Sequence, residues 1–588
     1  MGLAENPIEE KAGPVKKLVA MLLAEKESLT VFLVYAVIIS LLYLAIPLAA
    51  QVLVNTIAAG VLFQPLLLIS LTVLIGLVFL GLLRIFQLYI TEILQRKVFA
   101  GITLNLAEKI PQVKQKYFGD VYAPELVNRF FDTVTIQKAL TLILLEVPAS
   151  VLQIIVGIVL MGIYNPVLVL FDFALIAAVA FIYVLGFNGV RTSLAESGTK
   201  YRVAHWLEEL ARCQVSFKMN GNPYYLLAET DQRIIDYLQN RKKHFQVLVR
   251  QFSASFLIEA FASAGVLAIG GWLVIHGKLS LGQLVASELI ILMVLSALDK
   301  VIQKLESWYD LLTAIEKVSF IDELETERKD GSMVFVKANG AELVCEDLVF
   351  SYYPERKIFE KVNLKLRPGS RTSLVGVSGS GKTTLACLIS GLNDVQEGNI
   401  LFNGLPIKSL NLGSLRENIA LVSDFNEIFA GSVEKNITLD RAHLGPKDLR
   451  WVIELVELDR DIKQYPQGLQ TELLSEGRNI SLGQRQRILL ARSIIDRPQL
   501  LILDEAFGGM DERTKLKIIA KIFDKDKPWT ILNITHDAEV VARTDYIYLL
   551  EKGVIGEEGL TQRLVVDKSS LFSQLFPELC EMKQKGAF

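Results

Sequence analysis

The sequence predicts a multidomain protein: a six-helix, all-α transmembrane bundle with cytoplasmic helical extensions, followed by an α/β domain. Three observations carry this reading. From Ser28 to Leu83 there is no Asp, Glu, Lys or Arg, about twice the apolar length that one membrane-spanning helix requires, and Asn55, Gly60 and Pro65 mark a hairpin within it. Two further apolar pairs, at about 138–189 and 253–305, break near Asn165-Pro166 and His276-Gly277. Any one such run reads equally well as a buried core helix, but six in paired order do not. Beyond about residue 325 the apolar runs give way to short β-rich segments such as Glu342–Cys345 that alternate with helical patterns, as in an α/β domain.

Each segment follows from its composition. The 588 residues are 51% hydrophobic, with a net charge of -3, which argues against a nucleic-acid partner and for membrane lipid. Residues 1–28 form a mixed-charge segment and not a cleavable signal, and Asn6 stands where a myristoylation signal wants Ser or Thr. The connections near 57–61, 164–166 and 276–280 offer one base, Lys278. Those on the other face carry Arg96, Lys97, Lys109, Lys114, Lys116, Lys200, Arg202, Arg212, Lys218 and Arg241–Lys243. The basic side is cytoplasmic, so both termini are expected there. Leu104, Leu106, Ile110, Leu207, Leu210, Leu226, Leu227, Ile234 and Leu238 recur at helical spacing among these charges. The membrane helices therefore continue into the cytoplasm, by about 35 Å over 25 residues past Arg84, with bends at Pro111 and Gly221-Asn222-Pro223. The expected boundaries are a transmembrane domain at 29–325, a charged linker at 326–340 and an α/β domain with a helical tail at 341–588. Cys213, Cys345, Cys387 and Cys580 are scattered and read as reduced.

The chemistry lies in the last third. Gly376-Val377-Ser378-Gly379-Ser380-Gly381-Lys382-Thr383-Thr384 sits between an apolar strand pattern and a helix pattern, the order of a phosphate-binding loop. Backbone N–H groups would wrap phosphate oxygens, Lys382 would reach the outer phosphates and Thr383 would ligate magnesium. A second apolar run, Leu500–Leu503, ends in Asp504-Glu505. Downstream of a phosphate loop, these suit magnesium contact and activation of the attacking water. His536 follows a third run.

Ile480-Ser481-Leu482-Gly483-Gln484-Arg485-Gln486-Arg487 resembles the LSGGQ signature of the ATP-binding cassette (ABC) transporters. The whole chain, six spans and then one cassette, looks like a half-transporter of the exporter type. The resemblance implies ATP and Mg2+, an adenine-stacking aromatic at Tyr352 with Tyr353 as its neighbouring rival, metal support from Asp504, a general base at Glu505 and a γ-phosphate sensor at His536. It also implies that Ser481, Gly483 and Gln484 close over the nucleotide of a second half-transporter. Both a homodimer and a heterodimer stay open, as does the exported substrate. The bends near Lys114–Asp120 and Phe217–Asn222 would be the coupling contacts, and the membrane a bacterial inner membrane.

Three positions depart from the family pattern. Asp424 stands where a glutamine linking magnesium to the membrane part is usual, and a carboxylate there would itself ligate the metal. Leu482 replaces the first signature glycine, and Gly508 a common serine. Asp424 and Leu482 motivate one alternative, a low-turnover, ATP-binding half of a heterodimeric exporter; a cassette-gated membrane protein that moves no cargo is a second alternative that the sequence leaves open. Glu146, Asp172, Glu259 and Glu288 fall inside the spans. Glu288 is about 12 Å from the outer turn, and no base lies at the depth of Glu259 and Glu288. Charges at such depth favour a packing contact or an acidic, cation-accepting cavity.

Overall fold

The structure, a computed structural model, describes residues 13–58, 63–117, 127–164, 166–334, 339–567 and 569–584. The hairpin tips read at Gly60 and Asn165, residues 118–120 of the first expected bend and the Asp172 side chain lie outside what is described. Contacts divide the chain into two units, one of residues 1–113 and 120–325, the other of 114–119 and 326–588.

In the first unit, six helices among the described residues are long and apolar enough to cross a membrane: Lys26–Ile57, Leu66–Gln112, Arg129–Ile163, Phe173–Arg212, Pro223–Ile275 and Leu281–Glu323. The unbroken helix Pro223–Ile275 has 53 residues, about 80 Å at helical rise, against an apolar bilayer core of about 30 Å. Proline sets the interruptions. Pro47 has no N–H to give the Tyr43 carbonyl, and the first span breaks there into Lys26–Tyr43 and Ala45–Ala58. Pro111 turns the end of Phe63–Lys109 into a 3-10 turn. Gly221 ends the short helix Gln214–Asn220, after which the Asn222 side chain accepts the Tyr224 N–H at 3.0 Å and Pro223 opens the next helix. Phe32, Leu94, Ile136, Leu140 and Leu311 form one core; Met161, Val266, Leu273, Ile290 and Val294 form another.

The second unit contains strands β1 (Leu343–Tyr353), β2 (Arg356–Leu366), β3 (Arg371–Val375), β4 (Glu397–Phe402), β5 (Leu405–Pro406), β6 (Ile419–Val422), β7 (Gly431–Ser432), β8 (Glu472–Leu473), β9 (Leu500–Asp504), β10 (Thr530–Ile534), β11 (Tyr546–Glu551) and β12 (Val554–Leu560). An antiparallel sheet runs β2-β1-β4-β5 and a larger sheet runs β12-β11-β3-β10-β9-β6. Within the larger sheet β11, β3, β10, β9 and β6 are parallel. Every residue of β3, β9 and β10 is buried, as expected of parallel strands covered on both faces. Between β6 and β9 the chain inserts helices including Pro446–Leu455 and Leu482–Ile494. The charged linker is fastened to this unit: Glu327 takes a two-point contact from Arg416 at 2.7 Å, and Arg328 donates to the Lys408 and Leu410 carbonyls at 2.8 and 2.9 Å.

Arg371 is 1% exposed. Its guanidinium donates to the Phe523 and Trp529 carbonyls at 3.3 Å and to those of Gly369 and Asp524, so it satisfies the end of the Glu512–Ile522 helix and the approach to β10. Arg371→Met removes these donors and leaves buried carbonyls unmet, a cost of about 2–3 kcal/mol. The expected outcome is a fall of about 5–10 °C in the cassette's thermal midpoint, read by differential scanning fluorimetry of the full chain in detergent.

Candidate functional site

Parallel pairing places the C-terminal ends of β3, β10, β9 and β6 side by side, with Ile534 opposite both Asp504 and Leu374, and Val422 opposite Leu503. Ligands of open α/β sheets bind beyond such strand ends. The phosphate loop leaves β3 here and enters the helix Lys382–Ile389. Its glycines have φ of +153° at Gly376, +79° at Gly379 and +103° at Gly381, a region that side chains disfavour. At Gly381 a Cβ would also stand 2.8 Å from both Ile358 and Phe359.

Lys382 is 8% exposed and its Nζ donates to the Gly376 and Val377 carbonyls at 2.9 and 3.1 Å. Burial holds its ammonium below the ordinary lysine range, against the pull of Asp504 and Glu505. Thr383 Oγ1 donates to Asp504 Oδ2 at 2.7 Å. Burial lifts the Asp504 carboxyl above the usual range, and the charge of Asp424 adds to that lift while Thr383 opposes it. Asp424 is exposed just past the end of β6.

Glu505 adopts φ +49°, a left-handed conformation that costs a non-glycine residue energy and persists only where neighbours fix it. Its N–H donates to the Ile534 carbonyl at 2.9 Å, and its carboxylate accepts the His536 N–H at 3.1 Å and the Thr535 hydroxyl at 3.3 Å. Loss of water at the sheet edge raises its carboxyl above the usual range, with His536 the first opposing influence. The His536 ring is exposed. Thr535 was not singled out from sequence, although a hydroxyl next to the histidine is the kind of signal that points to it.

Tyr352 donates from its hydroxyl to Thr384 Oγ1 and accepts from Asn393 Nδ2, each at 3.3 Å, and packs edge-on against Phe350 at 5.0 Å. Tyr353 follows it at 62% exposure. Ser378 and Gly379 lie exposed on the loop, and Ser380 is buried.

Ser481 caps the helix Leu482–Ile494: its Oγ accepts the Gln484 N–H at 3.2 Å, and Gln484 Oε1 accepts the Ser481 N–H at 2.9 Å. The Gln484 amide then donates to Asp461 at 2.7 Å. Both ends of this amide are thus engaged inside its own cassette. Gly483 lies against the Gly509 carbonyl, 3.0 Å from where its Cβ would be, and Leu482 packs on Gly509. Among the described residues no hydrogen bond joins Ser481 or Gly483 to the phosphate loop.

In the membrane unit, Glu146 lies 3.6 Å from Lys304, a pairing not evident in sequence. Glu288 is half-buried with Oε2 lacking a partner, and Glu259 is exposed.

Fold and site together define a membrane-embedded ATPase whose phosphate loop and acid pair converge at a parallel sheet edge. Residues 359–508 match the ABC transporter family and residues 29–298 match the ABC transporter transmembrane region. The chain belongs to the ABC transporters, as an exporter-type half-transporter with both parts fused; it is an integral membrane protein and an ATPase that binds nucleotide. It is 26% identical over 501 residues to the transport/processing ATP-binding protein ComA of Streptococcus pneumoniae, covering 84% of this chain and 69% of that one. It is 25% identical to the mesentericin-Y105 transport/processing ATP-binding protein MesD of Leuconostoc mesenteroides, over 97% of this chain and 79% of MesD. It is 29% identical to an ATP-dependent lipid A-core flippase of Chromobacterium violaceum, over 63% of each. A solved bacterial Atm1-family ABC exporter with ATP bound shares the fold, with a TM-score of 0.83 and 21% identity over 97% of this chain and 99% of that one.

Because Glu505 sits above the ordinary glutamate value of about 4.3, its base form is lost as pH falls through that raised value. With Glu505 acting as general base, the acid limb of the kcat/KM–pH profile, which reports the free enzyme, would lie above the range of a free glutamate, checked by steady-state ATPase assays across pH.

Proposed function

We propose that two copies of this chain form an ATP-driven exporter of a bacterial inner membrane, in which each nucleotide is held between the phosphate loop of one cassette and the signature segment of the other. The observation that carries this is the convergence of Lys382, Thr383, Asp504, Glu505 and His536 on one sheet edge, while Ser481 and Gly483 share no hydrogen bond with the phosphate loop of their own chain. Ser378, Gly379 and His536 are exposed, and a second cassette would close over them.

Tyr352 would stack on adenine, and the N–H groups of Gly376–Thr384 would take the phosphates. Lys382 would exchange the Gly376 and Val377 carbonyls for phosphate oxygens. Thr383, Asp504 and Asp424 offer only oxygen donors, the set that suits Mg2+; bound there, the ion would neutralise phosphate charge. Glu505 would take a proton from the attacking water as the new bond to γ-phosphorus forms and the bond to the β-bridging oxygen breaks. His536 would contact the γ-phosphate. Closure of the cassettes on ATP and their release after hydrolysis would rock the membrane helices, with the bends near Lys114 and Phe217 as coupling points. The intact set of catalytic groups supports turnover by the protein alone, whereas a low-turnover half of a heterodimer, motivated by Asp424 and Leu482, would need its companion.

For the purified chain in lipid nanodiscs, Glu505→Gln is expected to lower magnesium-dependent ATPase at least 100-fold while retaining ATP binding and accumulating the ATP-closed dimer. Wild-type turnover by that variant, or no turnover by the wild type alone, contradicts the proposal.

Glu259 and Glu288 support a cavity that accepts cationic or amphipathic cargo, since an acid at membrane depth is retained at a cost. Replacing both by Gln is expected to reduce stimulation of ATPase by cationic amphiphiles several-fold and leave basal turnover unchanged. Equal stimulation across pH removes this cargo assignment.

A further inference from the structure

Lys515, on the helix Glu512–Ile522, is only 11% exposed, and its Nζ lies 2.6 Å from Asp537, 3.0 Å from Glu512 and 3.8 Å from Glu539. These carboxylates belong to two segments. Glu512 opens the helix that follows Ala506–Asp511, whose first turn is capped by Asp511 accepting the Thr514 N–H at 3.0 Å. Asp537 begins the short helix Ala538–Val541, where its Oδ1 accepts the Glu539 N–H at 2.9 Å and its Oδ2 is left for Lys515.

Asp537 is also tied to the catalytic carboxylate. Its N–H donates to Thr535 Oγ1 at 3.1 Å, that hydroxyl donates to Glu505 Oε2 at 3.3 Å, and the intervening His536 N–H donates to Glu505 Oε1 at 3.1 Å. An unbroken chain of polar contacts therefore runs from the Lys515 ammonium to Glu505, which is itself held at a left-handed φ of +49°. The loop in between contains Gly508 and Gly509, two residues with little backbone stiffness of their own.

We propose that Lys515 is a positioning residue for hydrolysis: by holding Asp537 it seats Thr535 and His536 against Glu505, and through Glu512 it makes the helix after the base and the histidine loop move as one body. This rests on the reading of Glu505 as general base. Burial draws the Lys515 ammonium down, but the bonds from Asp537 and Glu512 outweigh that and hold it above the usual lysine range. Glu539, whose Oε2 lies 3.8 Å from Lys515, is raised above the usual range by its neighbour Glu512; Lys515 therefore meets carboxylates from both segments. A pair that only stabilised the fold would shift the melting temperature and leave kcat alone. A positioning pair shifts kcat, because misplacing a base weakens the transition state more than the bound ground state.

The test uses the full-length protein in nanodiscs, with kcat, KM for ATP and affinity for a fluorescent ATP analogue measured for Lys515→Met, Lys515→Arg, Asp537→Asn and the Lys515→Met/Asp537→Asn pair. Lys515→Met and Asp537→Asn are each expected to lower kcat about 5- to 20-fold, with KM and analogue affinity within about two-fold. Lys515→Arg is expected to restore most of kcat, and the pair to be no worse than Asp537→Asn alone. Wild-type kcat in Lys515→Met, a loss confined to KM, or losses that multiply in the pair overturn the proposal. Should Lys515→Met not yield folded protein, Asp537→Asn decides by the same kcat criterion. Glu505→Gln, run alongside, separates the two readings: if it is inactive while Lys515→Met is normal, only the positioning role falls, and if it turns over normally, both fall.

Discussion

β9 and β10 pair in parallel with Ile534 opposite Asp504, and that register decides what the acid pair meets. A carboxylate at the end of a buried strand needs donors, and the residues just past Ile534 provide them in the Thr535 hydroxyl and the His536 N–H. The neighbouring pairing of β10 with β3, Ile534 opposite Leu374, brings the phosphate loop to the same edge, so that Thr383 reaches Asp504 across 2.7 Å. A slip of one residue would turn every side chain of the strand to the other face of the sheet. Groups far apart in sequence would then no longer share an edge.

The electrostatics of that edge are unbalanced by design of the chemistry. Lys382 faces Asp504 and Glu505, and Asp504 also feels the charge of Asp424; the Lys382 ammonium rests on loop carbonyls that phosphate oxygens would replace as acceptors. Two carboxylates and a hydroxyl suit a hard divalent cation, and a nucleotide brings negative charge that such a cation offsets. The positive end of the helix Lys382–Ile389 adds to the phosphate cradle. In the membrane unit the constraint is length: a helix of 53 residues far exceeds one bilayer, so its lower half is built to work in water.

Much of this was legible in the residues because the signals are local. The phosphate loop occupies nine consecutive positions, the acid pair directly follows an apolar strand, and Ser28–Leu83 lacks charge throughout. The six-helix bundle followed by an α/β cassette is the fold observed. What escaped depends on contacts between distant residues. The Lys515–Asp537 pair spans 22 positions, Lys304 meets Glu146 from another helix, and neither has a sequence motif. Gln484 illustrates the opposite case: its motif is plain, yet its amide is engaged by Ser481 and Asp461 within one cassette. The break at Leu44 was hidden too, since Pro47 lies inside an otherwise continuous apolar run.

The central claim is that the signature segment of one copy closes over the phosphate loop of another. Ser378 and Ser481 are both exposed, and burial pushes the Cys345 and Cys387 thiols up to about 12 and about 11, leaving them unreactive. With Cys213 and Cys580 replaced by serine, the most direct measurement is disulfide cross-linking of a Ser378→Cys/Ser481→Cys chain in nanodiscs, followed on non-reducing gels. Cross-linked dimer that forms with ATP in a Glu505→Gln background and disappears with ADP is the predicted result. A cross-link confined to one chain, or a dimer yield indifferent to nucleotide, would contradict the account.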